Sequence, residues 1–234
     1  MSAQTSDSTS AISGVKTTEP RNAWRKVPVA VAPETQDPQQ MAIFAARGKY
    51  FDQFSTTHVP LDQPQPPRNG GSSVSIGSRA ELTRFPNETV VLGTFQNYQV
   101  YLSPSHLSSY TNVQLSVEQV LMAGPAPVQP GDQIDILELG ADIKLPDGRT
   151  IDDVPENLLS EYSIQPSHRY VFLLEYHPDG NFFTGEKHWE LEDGFVIPQS
   201  PDDILRAQHG QSKYAGMRED RFIKTLREDL AQRQ

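Results

Sequence analysis

The chain contains no cysteine, which excludes disulfide bonds, thiolate nucleophiles and metal sites with cysteine ligands. It also lacks any run of lysines or arginines, and 30 acidic residues outnumber 20 basic ones, so the formal net charge is −10. This negative charge repels phosphates and argues against general binding to nucleic acids or anionic membranes. No stretch approaches the ~18–20 apolar residues that a transmembrane helix needs. We therefore expect no nucleic-acid partner and no transmembrane segment.

Common catalytic motifs are absent as well. No G-x-S-x-G elbow, H-E-x-x-H motif or EF-hand spacing occurs. The stretch "GNFFTGEK" at 180–187 approaches a phosphate-binding loop, but Glu186 stands where that loop requires lysine. Because a Pro-Asp-Gly turn precedes it and a strand pattern follows, we predict a β-hairpin with a positive φ at Gly180. We expect no cofactor.

Composition divides the chain into four parts. Residues 1–38 are rich in Ser, Thr, Gln and Pro, and we predict a disordered tail because little apolar surface offsets the entropy of ordering. Residues 39–85 combine a helix with a Pro/Gly/Ser-rich linker, 86–198 have the two-residue period of strands, and 199–234 return to helical spacing. The sequence as written has no signal peptide, which indicates a cytoplasmic chain, or a periplasmic or secreted one if a signal was removed.

The first helix has a clear start. Asp37 is a favourable N-cap and Pro38 a favourable first residue. The apolar residues that follow with roughly helical spacing, and are expected to face inward, are Met41, Phe44, Ala45, Phe51 and Phe54. Gly48 is expected to weaken this helix in its middle.

Further helices are predicted downstream. Ser78 followed by Glu81 resembles a capping box and predicts a short helix. Residues 200–210 predict another, which ends at Gly210. The apolar stripe of the last predicted helix contains Met217, Phe222 or Ile223, Leu226 and Leu230.

Between these helices the apolar residues alternate as in β-strands. "TVVLGTFQNYQVYL" predicts one or two strands with a turn at Gln96 and Asn97, and a phase shift after Val117 predicts a β-bulge around Glu118 and Gln119. Many short strands with Gly/Pro turns favour closure. The predicted fold is mainly β, a small antiparallel barrel or strongly bent sheet (OB-like) with flanking N- and C-terminal α-helices.

Aromatic residues concentrate in the last predicted hairpin. They are Tyr170, Phe172, Tyr176, Phe182, Phe183, Trp189 and Phe195. An aromatic strip on a β-surface can bind sugars or a peptide, and the same residues can also form the core of a small barrel. The candidate ligand-binding residues are Tyr176, Phe182 and Trp189.

Histidines of the same hairpin provide an alternative site. His177 and His188 could face each other across the hairpin, and Glu190 shares a strand face with His188. Such a group could bind a metal ion or serve a hydrolase. The ordinary explanation is a polar cross-strand pair, so we expect no metal, with His177, His188 and Glu190 as the alternative.

The run from "VVLGTFQNYQVYL" through "GDQIDILELG" and "HRYVFLLEYHPDGNFF" to "WELEDGFVIP" resembles a group of uncharacterised bacterial proteins of acidobacterial type. The resemblance covers about residues 88–213, and members of that group often look exported. The layout is also similar to small OB-like barrels such as netrin-type modules. The resemblance implies a β-rich domain and no particular activity.

The sequence thus favours a non-enzymatic binding or interaction module for an unknown protein or carbohydrate partner, in a bacterial envelope setting. The competing hypothesis is a metal-dependent or other hydrolase that uses the His177, His188 and Glu190 region. A hydrolase should bring titratable side chains together in a cleft, whereas a binding module should offer an apolar or aromatic surface.

Overall fold

The computed structural model describes residues 35–55, 58–64, 88–140, 142–145, 148–152, 164–197 and 213–232. Its helices are α1 (Pro38–Asp52) and α2 (Glu219–Ala231). Its strands are β1 (Glu88–Leu102), β2 (Ser109–Met122), β3 (Gln133–Leu139), β4 (Asp142–Lys144), β5 (Thr150–Asp152), β6 (Arg169–His177), β7 (Phe182–Glu192) and β8 (Phe195–Ile197). The helices predicted at 78–85 and 200–210 lie outside the described residues, as does most of the predicted tail.

Five strands close into a barrel in the order β3-β2-β1-β6-β7, and β7 returns to β3. Neighbouring strands are antiparallel except at the closing pair, where Ile136 and Leu137 run parallel to Phe183 and Thr184. Strand β8 adds to β7, while β4 and β5 form a separate two-stranded sheet. The prediction of a mainly β barrel with one N-terminal and one C-terminal helix is confirmed.

The barrel interior contains the main apolar core, because alternate residues of each strand point inward. Its buried strand residues are Val91, Phe95, Val113, Leu115, Val117, Ile134, Ile136, Tyr170, Phe172, Leu174 and Phe183. The aromatic residues that the sequence places on β6 therefore serve largely as barrel core. Burial of this apolar surface is the main contribution that holds the five strands together.

The two helices cover two different outer faces of the barrel. Helix α1 packs on Tyr110 of β2, Leu137 of β3 and Phe182 of β7. Helix α2 packs on a second outer cluster, whose strand residues are Val90, Leu92, Val171, Leu173, Trp189, Leu191 and Val196. Each helix thus buries apolar residues that the alternation of the strands points away from the barrel interior.

Helix α1 begins as predicted, since the Asp37 carboxylate accepts a hydrogen bond from the Gln39 backbone N–H (2.9 Å). Pro38 is therefore the first helical residue rather than the end of a tail. The predicted inward stripe is partly wrong. Phe44 and Phe51 are buried, but Ala45 is exposed and Met41 and Phe54 are 48% and 49% exposed, because the sheet lies against only one narrow side of the helix.

Of the two irregularities predicted in the strands, the β-bulge is confirmed and the turn is wrong. Leu92 pairs with Gln119 while Gly93 pairs with Val117, so Glu118 is the extra residue of the predicted bulge. The predicted turn at Gln96 and Asn97 is wrong. Strand β1 continues through that point, and a register shift there accommodates one additional residue.

The stretch "GNFFTGEK" belongs to the β6–β7 hairpin, as predicted. Its turn is the 3-10 segment Pro178–Gly180, and the left-handed residue is Asn181 (φ 45°). The predicted positive φ at Gly180 is therefore wrong. Gly180 is required for space, since a Cβ there would lie 2.7 Å from ring carbons of Phe182 and 3.2 Å from Cγ of Arg47.

Gly180→Val is expected to lower the free energy of unfolding by about 1–2 kcal/mol, because the added side chain overpacks the contact between α1 and the hairpin. Urea denaturation measures this loss. Gly185→Ala is the matched control, since its added Cβ would meet only Ile136, at 3.6 Å. Equal stabilities of the two variants would contradict the steric explanation.

Helix α2 confirms the predicted stripe. Phe222, Leu226 and Leu230 are buried, and Met217 and Ile223 are partly buried against the same cluster. The helix is also attached by polar contacts. Arg169 of β6 forms ion pairs with Glu118 (2.9 Å) and with Glu219 at the start of α2 (3.0 Å).

Candidate functional site

The structure places the three predicted ligand-binding residues in different surroundings. Tyr176 is partly buried and its hydroxyl donates to Asn181 Oδ1 (3.0 Å). Phe182 is buried beneath α1, and Trp189 is buried beneath α2. The structure therefore does not bring them together on one exposed strip, and a shared ligand site at these residues stays a prediction.

The histidine pair predicted across the hairpin is wrong. His177 is opposite Phe182, whereas His188 is opposite Phe172, because the β6–β7 register begins directly at the tight turn. The two histidines are separated by several residue pairs, or roughly 15–20 Å at ~3.3 Å per residue. Among the described residues, no group of three or more acidic or histidine side chains could hold a metal ion.

Glu190 instead contacts His168, a histidine that no sequence pattern pairs with it. The carboxylate of Glu190 is fully buried, and its Oε1 contacts Nδ1 of His168, which lies just before β6. Tyr170 is opposite Glu190 and has its hydroxyl bonded to the Gln165 backbone N–H (2.7 Å). The carboxylate holds the partly exposed imidazole of His168 in one orientation. The imidazole in turn gives the buried carboxylate a polar partner, which explains how a polar group is tolerated at the end of the apolar barrel.

An aromatic surface on the outside of the barrel lies beneath α1. We name it the helix groove and define it by its strand residues, which are Tyr101, Tyr110, Leu137, Leu139 and Phe182. These residues come from β1, β2, β3 and β7, so the groove forms only when the barrel closes. This dependence on long-range pairing explains why the sequence pattern did not reveal it.

Helix α1 inserts two aromatic side chains into the helix groove. Phe51 stacks on Tyr110 with ring centroids 5.0 Å apart and an interplanar angle of 14°. Phe44 contacts Tyr101 edge-to-face at 5.9 Å and also approaches Tyr110 at 6.4 Å. Tyr110 itself stacks on Tyr101 at 5.5 Å. Stacked and edge-to-face contacts of this kind add about 0.5–1.5 kcal/mol per pair beyond area burial.

Arg47 fastens the middle of the helix by polar contacts. Its Nε donates to the Gly180 carbonyl (3.0 Å), and one terminal nitrogen donates to the Asn181 carbonyl (2.9 Å) and to Asp135 Oδ2 (2.9 Å). The Arg47 side chain is only 13% exposed, so this ion pair is partly desolvated. Charged hydrogen bonds in such surroundings are stronger and more geometrically selective than exposed ones.

Gly48 allows the helix to approach the β1–β2 loop closely. A Cβ on Gly48 would lie 2.4 Å from Cδ of Pro104 and 3.2 Å from Cβ of Ser103. One turn later, Asp52 accepts hydrogen bonds from the hydroxyls of Ser105 (2.6 Å) and Ser108 (2.8 Å). The sequence prediction that Gly48 only weakens α1 is therefore incomplete, because this glycine is what the contact requires.

The helix groove also contains titratable groups. Burial raises the pKa of the Tyr110 hydroxyl well above its usual range. His177 stacks on Phe182 at 4.7 Å and approaches Tyr50 of α1 at 4.5 Å. Burial lowers the pKa of His177, and the nearby Glu175 opposes this effect. The lowered pKa favours the neutral imidazole, which suits its place among aromatic rings.

The contacts of α1 repeat at helical intervals. Phe44, Arg47, Gly48 and Phe51 stand at i, i+3, i+4 and i+7, the spacing with which a helix presents one face to a groove. Phe44 and Phe51 were predicted to face inward, but Arg47 and Gly48 were missed as contact residues because an arginine and a glycine do not contribute to an apolar periodicity. The F-x-x-R-G-x-x-F spacing was the available signal.

Neither helix of the described residues is long and apolar enough to cross a membrane. A comparison with protein-family models gave no match, and a search of curated proteins gave none either.

Proposed function

We propose that this chain is a non-enzymatic protein-binding module whose helix groove accepts a helical segment of a partner protein. The observation that carries the proposal is the seating of α1 at helix-in-groove spacing, which places Phe44 and Phe51 in the groove and sets Arg47 and Gly48 against the strand and loops that border it. In this view α1 is an internal occupant of the surface that a partner helix uses.

The topology supports the same surface. We propose that the barrel is OB-like, a fold in which ligands bind on the face of the second and third strands. Here the corresponding outer face is formed by β2 and β3, with Tyr110 and Leu137 beneath α1. This argument is an analogy of fold, and the contacts of α1 are what define the class of ligand.

The groove favours a helix over a carbohydrate chain. Gly48 lets the helix backbone approach the β1–β2 loop closely, and the two aromatic anchors lie about 10.5 Å apart along the helix at 1.5 Å per residue. Asp135 and the carbonyls of Gly180 and Asn181 form an acceptor group that matches a guanidinium between the anchors. The expected partner segment carries aromatic residues at i and i+7 and an arginine at i+3.

The competing hydrolase hypothesis has less support. It depended on His177, His188 and Glu190 acting together, and the strand register separates His177 from the other two. The contact of Glu190 with His168 is accounted for by the stabilisation of a buried carboxylate. A binding function needs no such constellation.

A partner helix must displace α1. A tethered segment acts at an effective concentration on the order of millimolar, so the wild-type chain is expected to bind an added helix weakly. We therefore expect that a substitution confined to α1 increases binding of an added copy of α1. Arg47→Glu is suited to this purpose, because it opposes Asp135 without changing any groove residue.

The test uses a fluorescent peptide with the sequence of residues 35–55 and full-length chains. Fluorescence anisotropy is expected to show about tenfold or more tighter binding to the Arg47→Glu chain than to the wild type, since the internal helix loses its ion pair. A peptide that itself carries Arg47→Glu should not bind. Adding Asp135→Arg to the Arg47→Glu chain should restore the internal ion pair and again reduce binding of the unmodified peptide.

Absence of saturable binding to the Arg47→Glu chain, with its thermal unfolding still cooperative, would contradict the proposed function. Equal binding of the two peptides would show that they bind elsewhere than the groove.

A further inference from the structure

Two polar side chains of β2 share the outer face that α1 covers at Tyr110. Tyr110 is 1% exposed and Asn112 is 6% exposed, and both face the helix side because alternate strand residues share a face. Asn112 is opposite Leu137, a residue of the helix groove. Within the described residues, neither the Tyr110 hydroxyl nor the Asn112 Oδ1 atom has a hydrogen-bond partner.

Buried polar groups almost always have partners, because losing water without a replacement bond costs free energy. Two such groups at alternate residues of one strand face therefore call for an explanation. The rest of the interface is well matched, with stacked rings at Phe51 and three hydrogen bonds at Arg47. The mismatch is local to these two positions.

Within the described residues, no side chain of α1 bonds to these two atoms. Phe44, Gly48 and Phe51, which it buries in the groove, carry no polar side-chain atom. The guanidinium of Arg47 donates to Asp135 and to two carbonyl groups, and the Asp52 carboxylate accepts from Ser105 and Ser108, so these polar groups of α1 bond to other residues. The Asn112 oxygen needs a donor, and the tyrosine hydroxyl can donate to an acceptor. A single carboxamide supplies both.

We infer that the partner helix of this groove differs from α1 by one asparagine or glutamine, which bonds to Tyr110 and Asn112. The inference rests on the proposed function and adds the chemistry that distinguishes the partner from the internal helix. It also gives a reason why a partner displaces α1, since the partner satisfies two groups that α1 leaves without hydrogen bonds.

The experiment is a selection from helical peptides displayed on phage. The library keeps the equivalents of Phe44, Arg47, Gly48 and Phe51 and randomises the remaining positions of residues 38–54. The target is the full-length Arg47→Glu chain. We expect Asn or Gln to be enriched at one position, and a synthetic selected peptide to bind about tenfold more tightly than its version with leucine there, as for one well-placed hydrogen bond.

The matched target is the same chain with Tyr110→Phe and Asn112→Leu added, and Tyr110→Phe alone serves if the double variant does not fold. On this target the preference for the amide over leucine should disappear, whatever the change in overall affinity, because the preference is the ratio of two affinities measured on the same target. The inference is overturned if binders lack a common amide, or if the preference is equal on both targets. If the parent peptide fails on every target, the proposed function falls and the inference with it.

Discussion

Phe222→Ala is expected to lower the free energy of unfolding of the whole chain by about 3–5 kcal/mol, the largest effect of any single substitution considered. Phe222 is fully buried between α2 and the barrel, with its ring 5.6 Å from Trp189 and 5.3 Å from Tyr214. Truncation leaves a cavity between rigid rings that cannot collapse into it. Such a loss is a large part of the ~5–15 kcal/mol that stabilises a typical domain.

Urea denaturation followed by circular dichroism and by tryptophan fluorescence measures this effect. In a Trp24→Phe background, Trp189 is the sole tryptophan and reports on the interface with α2. Lys224→Ala is the control, because that side chain is exposed on the same helix and should change stability by less than about 0.5 kcal/mol. Separate transitions for the two signals in the wild type would show that α2 is not part of the cooperative unit.

Gly48→Leu is the second large effect, and we expect it to destabilise the docked state of α1 by about 2–3 kcal/mol through overpacking. Intrinsic helix propensity alone predicts that this substitution stabilises α1, since leucine is favoured over glycine by just under ~1 kcal/mol. The 2.4 Å approach of a Cβ to the ring of Pro104 decides between them, because a proline ring at the start of a tight loop cannot turn aside.

The measurement is hydrogen exchange of the α1 amides together with the urea midpoint. Lys49→Leu is the matched control, with the same new side chain on the exposed side of the same helix. We expect faster exchange in α1 for Gly48→Leu and unchanged or slower exchange for Lys49→Leu. A stabilised Gly48→Leu chain would mean that propensity outweighs the contact with the β1–β2 loop.

For helix α1, the sequence predicted where the helix begins but not how wide its buried face is. Asp37 and Pro38 predicted the start of the helix, because capping depends only on adjacent residues. The inward stripe was partly wrong at Met41 and Phe54, because helical spacing alone does not say how wide a surface the helix meets. The width was decided by the barrel, which presents a narrow aromatic groove.

For the candidate site in the β6–β7 hairpin, the sequence likewise did not predict the surroundings of each residue. Aromatic density predicted that Tyr176, Phe182 and Trp189 matter, and Phe182 and Trp189 are buried in different clusters. A strand pattern states which residues alternate, but it does not state which helix will cover each face. The distance between His177 and His188 likewise depended on the turn, which began pairing at His177 and Phe182.

By itself the sequence determined the local elements and the class of fold. Alternation of apolar residues, Gly/Pro turns, helix caps and the phase shift at Glu118 act over a few residues, so they could be interpreted without coordinates. Only the tertiary structure decided the helix groove, the roles of Arg47 and Gly48, and the burial of Tyr110 and Asn112. These depend on contacts between residues as far apart as 47 and 180, and such contacts exist only after the barrel has closed and the helix has docked.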